Sequence, residues 1–199
     1  MTDTEDTDED RGPAMLAAVS LIRAEHRAFA TALHALERYL EPVLAHRLQP
    51  NHDLFGTILT YIDTFTDRFH HPKEDEHLFR ALRARTDRAD AALLDLQHEH
   101  ATSPAMLREV LESLRKTRGG SATDVAAFAR LLQDYTASQV AHMRKENEVV
   151  IPIAREALSR ADWETVGAAF RDHRDPLFGT GPDGSMGYLF RQAQSAPDP

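Results

Sequence analysis

Residues Phe69–Phe79 read FHHPKEDEHLF. The run sets histidines, carboxylates and a proline side by side where the flanking sequence is helical in pattern. His70 and Glu74 stand four apart, and so do His71 and Asp75. On an α-helix, residues four apart share a face one turn along, so either pair can aim two donors at one point. The two registers cannot both face a core, since adjacent helical residues point about 100° apart. His70/Glu74 is the preferred pair because glutamate reaches further; His71/Asp75 is the alternative. Pro72 removes the backbone bond to the Arg68 carbonyl and clashes with that turn, so a kink is expected here, and a kink can rotate the face.

The run lies in the second of four helical segments, read from about Asp53 to Arg85. Phe55, Leu59, Ile62, Phe65 and Phe69 form its apolar face, continued by His70, Glu74 and His77. The first segment carries Val19, Ile22, His26, Phe29, Leu33, Leu36 and Leu40 at steps of three and four, one stripe of a helix with a histidine in it. The third, about Arg88 to Arg118, repeats this with Leu93, Leu96, His100, Ser103, Leu107, Val110 and Leu114. The fourth, about Thr123 to Leu158, aligns Phe128, Leu132, Tyr135, Gln139, His142, Glu146, Val149 and Ile153. A shorter helix from Arg160 to Arg171 opens on a capping-box pattern, Ser159 with Asp162. No segment alternates like a strand. The pattern predicts an all-α protein: an up-down-up-down four-helix bundle over residues 14–158, a disordered acidic arm at 1–13, a short C-terminal helix at 159–175 and an irregular tail at 176–199.

Composition removes several function classes. The chain has 199 residues, enough for one domain with a sizeable core. Its net charge of −9 argues against nucleic acid, which needs a basic surface. Without cysteine there is no thiolate catalysis, disulfide or zinc–thiolate site. No apolar run reaches the length of a membrane span. The start, MTDTEDTDEDRGP, lacks the basic and apolar parts of a signal peptide, so a cytoplasmic protein is expected.

Each long helix places a metal-competent residue on its inward stripe: His26, His70 with Glu74, His100, and His142 with Glu146. One such histidine is an ordinary core residue; four helices doing so at once is another matter. Burying two carboxylates and four imidazoles without partners costs several kcal/mol for each charge. A pair of cations offsets that cost. Imidazole and carboxylate donors without thiolate suit iron, manganese or zinc. Two glutamates on facing helices can bridge two ions, with an oxo, hydroxo or water bridge between them and at least one position per ion left for a small ligand.

The isolated His26, then HHPKEDEHLF, then Glu99-His100, then HMRKENEVVIPIA from His142, resemble in order and spacing the hemerythrin-like (HHE cation-binding) domains, over about Ala14 to Ala157. The resemblance implies two iron ions, with His26, His70, His100 and His142 as terminal ligands and Glu74 and Glu146 as bridges. It also favours His70/Glu74 over His71/Asp75. The chain departs from the oxygen carriers of that family. They carry a second histidine one turn along the third helix, where this chain has Leu96 or Pro104. They also use an aspartate where this chain has Asn147, one residue after Glu146. The pattern is closer to four-histidine, two-glutamate members similar to iron-centre repair proteins and iron- or oxygen-responsive sensors. One imidazole fewer implies a more open, less symmetric centre and speaks against simple oxygen storage.

The expected function is a di-iron protein that binds or reacts with oxygen, peroxide or nitric oxide in stress response or iron handling. The alternative is a non-catalytic sensor read by a protein partner. Among the remaining groups, His77 is a boundary residue or a partner to the ligands, and Tyr135 is a core residue or a hydrogen-bond donor to the small ligand. His34, His46, His52, His98 and His173 belong to the surface.

Overall fold

The computed structural model describes residues 8–172, and these form five helical rods with no strand among them. Helix α1 runs Asp8–Leu44. Rod α2 spans residues 52–85 and changes type along its length: α-helix at His52–Ile62, π-helix at Asp63–His70, α-helix at His71–Lys73, π-helix at Glu74–Phe79 and α-helix at Arg80–Arg85. Helix α3 is Asp90–Lys116. Rod α4 spans residues 122–157, with a π-helical stretch at Glu146–Val150 between Ala122–Lys145 and Ile151–Ala157. Helix α5 is Arg160–Arg171. The rods form a helical bundle in which α1 packs along α5 and α4, and α3 packs along α4 and α2. Among the described residues no helix is long and apolar enough to cross a membrane.

Local chemistry sets several ends. Ser121 and Ser159 each accept from the backbone N–H of an aspartate three residues on, and that aspartate bonds back to the serine N–H. These capping boxes satisfy two donors that a helix start leaves open. Gly119 has φ of 73°, and a side chain on Gly120 would run into the Lys116 carbonyl, so the α3–α4 turn needs both glycines. At the other end, α1 begins inside the stretch 1–13 expected to be a disordered arm. Acidic residues are favourable at a helix N-terminus, so that composition also suits a first turn. The expected tail at 176–199, and His173, lie outside the described residues.

The stripes of α1 and α3 are buried throughout, from Val19 to Leu40 and from Leu93 to Leu114. Those of α2 and α4 slip. Phe69 and His77 are only half-buried, while their neighbours His70 and Leu78 are buried. Likewise Val149 is exposed and Ile153 half-buried, while Val150 and Ala154 are buried. Each slip is by one residue and each falls at a π-helical stretch, where hydrogen bonds reach back five residues instead of four. Both Pro72 and Pro152 sit second in the α-helical stretch that follows such a turn, after N–H groups bonded five residues back: His71 to Thr66 and Ile151 to Glu146. The expected kink at Pro72 thus takes the form of a widened turn, which moves aside the carbonyl the ring would strike.

The apolar core is in two pieces. One holds Phe29, Leu33, Phe55, Phe65, Leu107 and Phe128; the other holds Ile22, Phe79, Leu96, Val150, Trp163 and Phe170. Along the first four rods the chain crosses from one piece to the other at His26, at His70–Glu74, at His100 and at His142–Glu146.

Candidate metal centre

Those crossing points meet. The structure brings His26, His70, Glu74, His100, His142 and Glu146 together, all buried. His26 Nε2 lies 3.5 Å from Glu74 Oε1 and 3.2 Å from Glu146 Oε2. His70 Nε2 is 3.4 Å from the same Glu74 Oε1. On the other side, His100 Nε2 is 3.6 Å from Glu74 Oε2 and 3.9 Å from Glu146 Oε1, and His142 Nε2 is 3.2 Å from Glu146 Oε1. Each carboxylate therefore turns one oxygen to His26 and the other to His100. Two four-residue groups result, His26/His70/Glu74/Glu146 and Glu74/His100/His142/Glu146, sharing both glutamates.

The seventh member is His71. Its side chain is buried, its ring stacks on His100 at 4.1 Å, and it forms a third group with His100 and His142. The expectation that His70 and His71 cannot both face inward is corrected. It assumed an unbroken α-helix, and the widened turn ending at His70 admits both neighbours to the core face. Asp75, the partner proposed with His71 in the alternative register, instead lies at the edge, 3.1 Å from His100 Nδ1.

The donor set fits cations. Both oxygens of Glu74 and of Glu146, Nε2 of His26 and both ring nitrogens of His71 are buried without a hydrogen-bond partner. Buried carboxylates in that state cost several kcal/mol, and a positive charge among them removes the cost. In the metal-free chain, protons fill this role. Burial pulls His26 down, but Glu146 and Glu74 outweigh it and push it up to about 10. His142 follows the same pattern, lowered by burial and raised by Glu146 and Glu74 to about 9. Burial would raise Glu146, yet His142 and His26 hold it well below the usual carboxylate range. His71 goes the other way: burial and the neighbouring His100 and His70 hold it well below the ordinary imidazole range, so it stays neutral.

A family model described as "Hemerythrin HHE cation binding domain" matches residues 17–154, more than half of the chain. The chain belongs to the hemerythrin HHE family. No curated protein and no solved structure matches it. Membership joins the helical bundle and the His/Glu groups to a cation-binding domain.

Around the inner residues of this HHE domain lies a set of partners that hydropathy reading passes over. Glu25 accepts from His70 Nδ1, Glu99 from His142 Nδ1, and Asn147 Nδ2 lies 3.2 Å from His26 Nδ1. Asp67 Oδ1 stands 3.3 Å from His71 Nδ1 and accepts from Ser103 at 3.1 Å. Glu25 and Glu99 each directly precede a stripe histidine, a signal visible in the sequence. Asp67 had no such mark, because it reaches the core face only through the π-turn. Tyr135 is fully buried, and burial with the Asp67 carboxylate pushes its hydroxyl above the usual phenol range. His34, His46 and His98 are exposed, His77 is half-buried, and His52 Nε2 lies 3.2 Å from the Thr117 hydroxyl.

Proposed function

We propose that this chain is a non-haem di-iron protein, folded as an up-down-up-down four-helix bundle, that binds or reacts with oxygen, peroxide or nitric oxide in cytoplasmic stress response or iron handling. In this reading His26 and His70 hold one ion, His71, His100 and His142 the other, and Glu74 and Glu146 bridge them. The observation that carries it is the division of each carboxylate, one oxygen facing His26 and the other facing His100. Bound iron supplies Lewis acidity and a one-electron couple per ion. The chain itself supplies a buried donor set, a pair of shared carboxylates and an uneven imidazole count. The half holding His26 and His70 has one histidine fewer, so the small ligand is assigned to that side. The fifth imidazole also removes the ground on which reversible oxygen binding was set aside. Manganese or zinc would suit the same donors.

Elemental analysis after anaerobic iron loading tests the reading directly. Two irons per chain are expected, with an optical spectrum that changes on adding peroxide or nitric oxide. Glu74→Ala or Glu146→Ala should abolish the two-iron stoichiometry. Well under one iron per wild-type chain would sink the proposal.

A further inference from the structure

The centre is built twice from one pattern. Glu25-His26 on α1 and His70-x-x-Lys73-Glu74 on α2 recur as Glu99-His100 on α3 and His142-x-x-Lys145-Glu146 on α4. The contacts recur with the residues. His70 Nδ1 lies 2.8 Å from Glu25 Oε2, and Lys73 Nζ donates to Glu25 Oε1 at 2.6 Å. His142 Nδ1 lies 2.8 Å from Glu99 Oε2, and Lys145 Nζ donates to Glu99 Oε1 at 2.7 Å. The next position along crosses between the halves: Asp75 reaches His100 Nδ1 and Asn147 reaches His26 Nδ1.

An ionised carboxylate only accepts, so the ring facing it must carry its proton on Nδ1. With Nδ1 engaged in this way, Nε2 is the atom turned toward the shared glutamate in both copies, and it is the nitrogen that gives up its proton when a cation takes that place. A partner of this kind fixes a ligand's tautomer and makes the ring a stronger donor. The lysine, three residues after the histidine on the same helix, neutralises the carboxylate and limits that pull.

We propose that Glu25–Lys73 and Glu99–Lys145 are two copies of one positioning clamp: each glutamate holds its histidine with Nε2 free for a cation, and each lysine sets how strongly that ring donates. The proposal rests on the cation-binding reading above. The copies differ in setting. Glu25 is buried and Lys73 half-buried, with side chains 2% and 14% exposed, and Lys73 Nζ stands 4.6 Å over the Phe170 ring of α5. Glu99 and Lys145 are 38% and 28% exposed, so water screens them.

The test uses the iron-loaded full chain and measures iron content and reduction potential in Glu99→Gln and Lys145→Met, which change a half-exposed pair and leave the folded core intact. Iron affinity should fall about 10- to 100-fold for Glu99→Gln. Its potential should rise, because the ring donates less and a negative charge is gone. For Lys145→Met the potential should fall. Glu25→Gln and Lys73→Met should repeat the two signs with larger shifts. A merely structural role would loosen the site in both variants and move the potential the same way. Shifts of one sign, or none, therefore overturn the proposal. Nitrogen-15 histidine NMR of the metal-free chain, at a pH where the imidazoles are neutral, judges the clamp separately. Nδ1–H tautomers at His70 and His142 are expected, and Nε2–H tautomers would overturn it. A wild-type chain that takes up no iron refutes the cation reading alone, and the tautomers then decide the clamp.

Discussion

At the scale of single residues, His71 shows how much one side chain's direction decides. It carries no hydrogen bond on either ring nitrogen, yet lies among His100 and His142 in a buried place that favours its neutral form. A neutral imidazole is ready to donate to a cation without first losing a proton. Replacing His71 with leucine, an apolar residue of near volume, should leave helicity unchanged, and under the proposed two-iron reading one of the two irons should be lost or much more weakly held. Iron titration followed by elemental analysis checks this; two irons held at wild-type affinity would remove His71 from the donor set. Spacing pairs His70 with Glu74 and His142 with Glu146, since four residues along an α-helix is a local fact; it pairs His71 with Asp75 equally well, and glutamate's reach and the family resemblance favour the first register. On an unbroken α-helix the preferred register turns His71 away from the core.

At the scale of elements, the reason is the widened turn. An α-helix carries its inward face forward by a fixed angle per residue, and stripe counting depends on that angle. Where α2 and α4 become π-helical, the count slips, so Phe69 gives way to His70 and Val149 to Val150. The capped and uninterrupted elements were legible: the Ser159 capping box begins α5 where its sequence pattern places it. Proline ties the slip to the site. Pro72 cannot donate to the Arg68 carbonyl, so the turn opens without losing a bond it would otherwise have had. Pro72→Ala restores that donor and allows an unbroken α-helix in which His71 rotates away. The metal-free variant should melt at or above the wild-type temperature, while its cation affinity falls. Wild-type affinity together with an unchanged melting temperature would show that packing, not the proline, holds the turn open.

At the scale of the whole molecule, the bundle carries a layer of charge between two apolar cores, and something positive must balance it. In the metal-free chain that is protons. His26 at about 10 and His142 at about 9 both sit above the ordinary imidazole value near 6.5. A raised pKa contributes stability that is complete below the unfolded value and is lost as pH climbs through the folded one. The metal-free protein should therefore weaken steadily from about pH 6.5 toward pH 10. Glu146 is depressed, so its contribution is present above the unfolded carboxylate value and fades only in acid. Cation binding must displace the His26 and His142 protons, so affinity should rise over the same range and calorimetry at pH 7 should register proton release. Denaturation midpoints against pH, with and without cation, should then diverge toward alkaline pH. Parallel curves would mean that the imidazoles do not exchange protons for metal.

Local sequence patterns account for the five helical segments, for the capped start of α5 and, with the family resemblance, for six of the seven residues that meet at the centre. Hydrophobic periodicity, capping chemistry and helical spacing act over a few residues and need no partner. Tertiary structure alone decided that His70 and His71 both turn inward, that each glutamate offers one oxygen to either side, and that Glu25 and Glu99 brace rings on neighbouring helices. Those outcomes depend on where a turn widens and which helices face each other across a buried charged layer, and neither is written in the spacing of any one segment.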